Sequence, residues 1–141
     1  MPTLTESFSV SNADHAWGVI SDLNKLVPCV PGARVTGSNS PTSVQAEIEV
    51  KMGSMGMKFT GPVEMYERND ASKTAKIKTD TREAGGQSAA SGDITITVNG
   101  GTCNISAIAN VQGKAASMGE GTVVAVLTQL VKQFAGNVST A

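Results

Sequence analysis

The feature that most constrains this 141-residue chain is a long central region in which apolar and polar residues alternate. In the segment 43–52, SVQAEIEVKM, valine, alanine, isoleucine and methionine occupy one parity, while glutamine, glutamate and lysine occupy the other. A period of two is typical of a β-strand with one buried and one exposed face. The period persists from about Arg34 to Gly113, which predicts a series of consecutive antiparallel strands.

Turn signals divide this region into strands. A Gly-Ser-Met-Gly segment at 53–56, an Asn-Asp pair at 69–70 and a Gly-Gly pair at 85–86 interrupt the alternation. An Asn-Gly pair at 99–100 gives the strongest hairpin signal in the chain. Between these turns, the apolar parity predicts that the inner face of the sheet carries Met57, Phe59, Gly61, Val63, Met65, Ala75, Ile77, Thr79, Thr81, Ile94, Ala107 and Ala109.

Helical periodicity is found in the sequence both before and after the strand region. Apolar residues from Ala13 to Leu23 recur at helical spacing, and a second, shorter helical piece in NKLVPCVPGARV is interrupted by Pro28 and Pro31. A long helix is predicted over about 115–138, with an apolar stripe of Val123, Val124, Leu127, Leu130, Val131, Phe134 and Val138. This order of elements predicts one α+β domain over residues 1–141, in which a curved sheet that grips the last helix would enclose a cavity.

Composition and cysteine usage narrow the classes of function. The formal net charge is −1 and lysine and arginine form no run, whereas nucleic-acid binding needs a basic patch, so no nucleic-acid partner is predicted. Residues 1–10 lack the pattern of a secretory signal, and no apolar run approaches the ~20 residues that span a bilayer. Cys29 and Cys103 lack metal-ligand spacing and are predicted to be buried thiols. These features favour the cytoplasm or the cytoplasmic face of the cell membrane, and they predict no metal site.

Candidate catalytic groups are scarce on the predicted inner face. Most ionisable side chains of the central strands fall on the outward parity, whereas catalysis in a pocket needs groups whose pKa is tuned by burial. Glu67 and Glu83 have the inward parity but lie at strand ends, where we expect water to reach them. His15 is expected at the surface of the first helix, and Cys29 has no base in its motif. The sequence therefore predicts no catalytic residue and a protein that is not an enzyme.

The methionine-rich segment 51–59, KMGSMGMKF, leaves two interpretations open. Its flexible side chains could pack directly against the last helix, or they could line a cavity for an apolar ligand. Only 4% of the residues are aromatic and several inward positions are glycine or alanine, which favours a cavity. The predicted ligand-binding residues are Met52, Met55, Met57, Phe59, Leu127, Leu130 and Phe134, with Thr79 and Thr81 as polar anchors and Leu26, Val27 and Val30 at the mouth.

Four segments in this order resemble the CoxG family, named for the CoxG subunit of carbon monoxide dehydrogenase, which belongs to the START-like (SRPBCC) helix-grip superfamily. The segments are LVPCVPGARV, MKFTGPVEM, GGQSAASGDITITV and GEGTVVAVLTQLVKQFAGNV, and the resemblance covers essentially the whole chain. It implies a helix-grip fold, an antiparallel sheet wrapped around the C-terminal helix, with a deep apolar cavity.

The resemblance also implies a function. Members of the family are accessory proteins of molybdenum-containing CO dehydrogenase-type hydroxylases. The implied role is to bind an isoprenoid quinone, such as menaquinone, and to carry it between the membrane and the enzyme, with no covalent cofactor and only transient membrane contact. Two alternatives stay open: a ligand-free accessory factor that docks the enzyme at the membrane, and a cyclase or dehydratase that would use Glu67, Glu83 or His15.

Overall fold

A seven-stranded antiparallel sheet and a long C-terminal helix make up most of the computed structural model, which describes residues 3–52, 55–114 and 116–140. The elements are β1 (Thr3–Ser9), α1 (Ala13–Ile20), α2 (Leu23–Leu26), a 3₁₀ turn (Val27–Cys29), β2 (Ala33–Ser40), β3 (Ser43–Met52), β4 (Met55–Asn69), β5 (Thr74–Glu83), β6 (Ser88–Asn99), β7 (Thr102–Gly113), a second 3₁₀ turn (Ala116–Met118) and α3 (Glu120–Thr140). The strand order is β1-β7-β6-β5-β4-β3-β2, so β1 and β2 form the edges. The predicted α+β arrangement, with the sheet curved around α3, is confirmed.

The buried and exposed faces of the central strands are those predicted from the alternation of apolar and polar residues. On β3, Val44, Ala46 and Val50 are buried, whereas Gln45 and Glu49 between them are exposed. β3 pairs with β4 and β6 pairs with β7 in long, regular ladders. Because directly opposite residues share a face of the sheet, one continuous apolar inner face results. Of the turn predicted over 53–56, residues 53 and 54 lie outside the described part of the chain, whereas Met55 and Gly56 already belong to β4.

The inward orientation predicted for Glu67 is wrong. A β-bulge between Met65 and Glu67 leaves Tyr66 without a ladder partner and places Glu67 opposite Lys76. One extra residue reverses the parity of everything that follows it in the strand. Glu67 is consequently exposed, and its Oε2 atom lies 3.9 Å from the Nζ atom of Lys76.

The last helix begins later than predicted. Gly119 has a φ of +93°, which is incompatible with a right-handed helix, so α3 begins at Glu120 rather than near 115. Its apolar stripe is nevertheless placed as expected, because Val123, Phe134 and Val138 are all buried.

Helix α1 is attached to the β4–β5 turn by a buried tryptophan. The indole nitrogen of Trp17 donates a hydrogen bond of 2.9 Å to Asp70 Oδ1, and the Arg68 Nε atom lies 3.1 Å from the same oxygen. The hydrogen bond from Trp17 and that from Arg68 lower the pKa of the Asp70 carboxyl. One end of the sheet is thereby covered by α1 and α2, whose buried residues belong to the main core cluster.

Gly61 marks a close approach of two strand backbones. A Cβ atom at this position would lie 2.3 Å from the carbonyl oxygen of Asp80 on β5 and 2.9 Å from the Cα atom of Thr81. Neither atom belongs to a flexible side chain, so relief would require the strands to move apart. Glycine at this point of MKFTGPVEM therefore permits the spacing of β4 and β5.

We expect Gly61→Ala to lower the free energy of unfolding by about 2 kcal/mol or more, because the added methyl group overlaps backbone atoms. Gly56→Ala is the matched control on the same strand, since no atom of the described residues lies within 4 Å of a Cβ atom there. The control should change stability by no more than about 0.5–1 kcal/mol in either direction. Urea unfolding followed by circular dichroism measures both variants, and equal stabilities would contradict the steric explanation.

Candidate functional site

A partly open cavity of about 320 Å³ lies between the inner face of the sheet and α3. This volume is at the lower end of the range of roughly 300–1,000 Å³ found for ligand pockets. All seven strands, the α2 region and α3 contribute to its wall. The main apolar side chains that line it are Leu4, Leu23, Leu26, Val27, Val30, Ala33, Ala46, Ile48, Val50, Phe59, Val63, Ile77, Ala90, Ile94, Ile96, Ile105, Ala107, Ala109, Val111, Val123, Val126, Leu127, Leu130, Val131 and Phe134.

Most of the side chains predicted from the sequence to bind a ligand lie together in this wall. They come from separate parts of the chain and comprise Leu26, Val27, Val30, Phe59, Thr79, Leu127, Leu130 and Phe134. Met57 is buried in a cluster with Val50 and Phe59, but it does not line the cavity. The side chains of Met52 and Met55 lie outside the described part of the structure.

The small and branched residues of β6 and β7 form a part of the lining that was not predicted to bind a ligand. The sequence placed Ile94, Ala107 and Ala109 on the inner face and took small inward residues as favouring a cavity, but none of them was named as a ligand-binding residue. Ala90, Gly92 and Ala109 leave space where leucine or phenylalanine would fill it. The alternation, together with the small size of these side chains, is the signal that could have identified this wall.

The loop after α2 forms one wall of the cavity and is held in place by the end of α3. The side-chain amide of Asn137 donates a hydrogen bond of 2.8 Å to the backbone carbonyl of Cys29. On the other side, Gly32 has a φ of +80°, and a Cβ atom there would lie 2.6 Å from the carbonyl oxygen of Glu49. The segment VPCVPGA is therefore fixed between α3 and β3, which positions Val27 and Val30 against the cavity.

Glu47 is the charged residue that contributes to the described wall, but its carboxylate is engaged on the outer side of the sheet. The Lys58 Nζ atom lies 3.1 Å from one carboxylate oxygen, and the Arg34 guanidinium lies 3.2 Å from the other. The hydrogen bond from Lys58, with a further contribution from Arg34, lowers the pKa of the Glu47 carboxyl. Its charge is thus satisfied away from the apolar interior.

The two inward threonines use their hydroxyl protons within the sheet. Thr79 Oγ1 donates a hydrogen bond of 2.9 Å to the carbonyl of Pro62, and Thr81 Oγ1 donates one of 2.8 Å to the carbonyl of Ala90. Both residues line the cavity. A hydroxyl group whose proton is committed in this way can still accept a hydrogen bond from a ligand.

Glu83 at the end of β5 is less accessible to water than its position near the strand end suggested. It lies directly opposite Phe59 in the β4–β5 ladder. Its Oε1 atom is shielded from solvent and has no hydrogen-bond partner within the described residues. The inward parity predicted for this residue therefore places one carboxylate oxygen beyond the reach of bulk water.

The cysteines are not activated nucleophiles. Both are free and buried, as predicted. Burial raises the pKa of the Cys29 thiol, and it raises that of Cys103 to about 11, so the reactive thiolate is disfavoured near neutral pH. Among residues 3–52, 55–114 and 116–140, no three His, Cys, Asp or Glu side chains are grouped as ligands of a metal ion.

The length and apolarity of a helix determine whether it can cross a bilayer. A membrane-spanning helix needs about 20 predominantly apolar residues. No helix in the described part of the chain combines sufficient length with sufficient apolarity.

Comparisons with known proteins agree on the fold. The family model for the CoxG subunit of carbon monoxide dehydrogenase matches residues 7–141. A search of curated proteins found no match. Solved structures with a similar fold include a conserved protein from Geobacillus kaustophilus, with a TM-score of 0.75 and 16% identity over 98% of this chain and 91% of that one.

Two further solved structures have a similar fold. The ZhuI aromatase/cyclase from Streptomyces sp. R1128 has a TM-score of 0.64 and 11% identity, and the alignment covers 99% of this chain and 92% of that one. A START superfamily protein from Mycobacterium smegmatis has a TM-score of 0.59 and 12% identity, covering 98% and 94%. At such identities the likeness shows the START-like helix-grip fold alone.

Filling the cavity should stabilise the protein and reduce its capacity for apolar molecules. Ala107 lines the cavity, whereas its neighbour Ser106 is exposed on the opposite face of β7. We expect Ala107→Leu to raise the free energy of unfolding by about 0.5–2 kcal/mol and to decrease uptake of the fluorescent probe N-phenyl-1-naphthylamine. Ser106→Leu adds the same side chain outside the cavity and should leave probe uptake unchanged. Equal probe binding by both variants would contradict the assigned cavity.

Proposed function

The chain belongs to the CoxG family, and we propose that it binds an isoprenoid quinone, with menaquinone the first candidate, in its internal cavity. In this proposal it carries the quinone between the membrane and a molybdenum-containing CO dehydrogenase-type enzyme. The observation that carries the proposal is the cavity between the sheet and α3, whose wall is mostly apolar. Such a wall favours a ligand with a hydrocarbon chain, since each buried CH₂ group contributes about 0.8 kcal/mol.

The size of the cavity suggests how such a ligand would be held. A volume of about 320 Å³ is sufficient for a ring system with the first part of a prenyl chain, but not for a long chain. The remaining chain would leave past Leu26, Val27 and Val30. In the proposed complex, redox chemistry belongs to the quinone and the partner enzyme, while the protein binds and orients the quinone.

The positions of the candidate catalytic groups favour a carrier over a cyclase or dehydratase. His15 and Glu67 are both exposed, and the bulge in β4 turns Glu67 away from the interior. Glu83 is then the remaining candidate acid near the cavity. General acid–base chemistry commonly pairs titratable groups whose environments separate their pKa values, and Glu83 has no such partner among the described lining residues.

Mass spectrometry of the gently purified protein, first native and then after organic extraction, tests the proposal directly. We expect a prenylated quinone in near-stoichiometric amount. A different lipid would retain the carrier function and reject the quinone. A protein that is empty and also takes up no added menaquinone would contradict the proposal and favour an accessory factor that docks the enzyme without a ligand.

A single charge in the cavity wall should prevent ligand retention. Leu127 lines the cavity from α3, whereas Ala125 is exposed on the same helix. We expect Leu127→Asp to reduce bound quinone at least tenfold, because an aspartate would have to be buried without a partner. Ala125→Asp adds the same charge to the solvent side and should retain the wild-type amount. Circular dichroism verifies that both variants are folded, and full retention by folded Leu127→Asp would place the ligand elsewhere.

A further inference from the structure

The two edges of the sheet differ in how they are protected. An edge strand presents unpaired N–H and C=O groups, and proteins commonly protect such an edge with bulges, charges or a covering segment. β2 has two irregularities in its register with β3, between Val35 and Gly37 and again between Ser38 and Ser40, and the first 3₁₀ turn packs beside it. β1 pairs with β7 over Thr3–Ser9 without an irregularity, and within the described residues its backbone makes no hydrogen bond outside that ladder. The β1 edge is therefore regular and open.

The sequence of β1, TLTESFS, has nearly the same pattern in both directions from its central residue, Glu6. Two copies of β1 paired antiparallel about this residue would keep the inner faces of both sheets on the same side, because residues of equal parity lie opposite one another. The pair would match hydroxyl with hydroxyl and apolar with apolar side chains: Thr3 with Ser9, Leu4 with Phe8, and Thr5 with Ser7. Cross-strand pairs between like side chains of these kinds favour strand pairing.

The apolar side chains of β1 are incompletely covered at this edge. Leu4 and Phe8, which have the inward parity, are only partly buried. By contrast, Cys103 and Ile105 on the neighbouring strand β7 are fully buried. A further strand beside β1 would cover the open side of Leu4 and Phe8, and burial of apolar surface favours association. The backbone and the apolar side chains of this edge thus both favour the addition of a strand.

Glu6 opposes such an addition. It is the one charged residue of β1, it shares the inward parity of Leu4 and Phe8, and it forms no ion pair among the described residues. In the centred register it lies directly opposite Glu6 of the second copy, with the two Cβ atoms about 4.5–5.5 Å apart. Like charges placed opposite one another destabilise a strand pair, and an inward-pointing charge is a known protection against edge-to-edge association. A shift of two residues sets the carboxylate against Leu4 or Phe8 and shortens the overlap.

From this pattern we infer that β1 is complementary to β1 of a second copy of this chain, and that the carboxylate of Glu6 prevents the two copies from pairing. Removal of this one charge would join two seven-stranded sheets into a continuous sheet of fourteen strands. The inference concerns the edge of the sheet and does not depend on what the cavity binds. It assigns Glu6 a role in keeping the chain monomeric.

Sedimentation of Glu6→Gln by analytical ultracentrifugation is the first test, since glutamine keeps the size of glutamate and lacks its charge. The wild-type chain should sediment as a monomer, whereas the variant should self-associate about tenfold more tightly or more, because opposed like charges are strongly unfavourable at an interface. Glu64→Gln removes an exposed carboxylate from β4 and should sediment like the wild type. Hydrogen exchange should show that association of Glu6→Gln protects amides of residues 3–9. Circular dichroism verifies that each variant is folded.

A mixture of the wild-type chain with Glu6→Lys tests the register. Each protein alone opposes like charges at the centre of β1 and should be monomeric, whereas the mixture opposes a carboxylate and an ammonium group and should form a 1:1 heterodimer. Wild type mixed with Glu64→Lys should stay monomeric. If Glu6→Lys fails to fold, the result with Glu6→Gln decides alone. Three results would overturn the inference: a monomeric Glu6→Gln, association of Glu6→Gln without protection of residues 3–9, or a wild-type chain already paired through β1.

Discussion

A single long helix has to cover the inner face of seven strands. Strands spaced about 4.8 Å apart give a sheet roughly 29 Å wide, whereas a helix with its side chains is only about 10–12 Å in diameter. The apolar inner face can leave water only if the sheet curves around α3 and if α1 and α2 cover one end. Because of this mismatch in width, the sheet has to curve around the helix. Curvature brings all seven strands towards α3 without bringing every inward side chain into contact with it.

The size of the inward side chains then determines whether the interior is filled. The buried residues form two clusters, a large one that includes α1, α2 and the end of α3, and a small one around Val50, Met57 and Phe59. In the cavity wall, β6 and β7 present Ala90, Gly92, Ala107 and Ala109, whose small size leaves space facing α3. Leucine at these positions would make a conventional core. The space is therefore a property of specific small residues, not a general consequence of the fold.

Much of this architecture could be predicted from the sequence because it depends on periodicity. The alternation on β3 and the Asn-Gly turn at 99–100 specify local geometry, and the inner face follows from them. The orientation of Glu67 could not be predicted, since a bulge depends on how two strands pair and leaves no mark in the alternation of one. The close approach at Gly61 is likewise a tertiary contact, although the glycine itself was visible. For the polar side chains, the face could be predicted but the hydrogen bonding could not. Parity placed Thr79, Thr81 and Glu83 on the inner face, whereas the presence of a hydrogen-bond partner for each depends on the separation of neighbouring strands.

The cavity also bears on how the protein responds to hydrostatic pressure. Any part of this volume of about 320 Å³ that water does not enter adds to the volume of the folded chain. Unfolding eliminates such voids and reduces the volume of the system, by an amount that scales with the void and reaches tens of mL/mol in ordinary domains. Compression therefore acts against the empty form and much less against a filled one. The pressure that unfolds the protein therefore reports whether the cavity is occupied, without any knowledge of what occupies it.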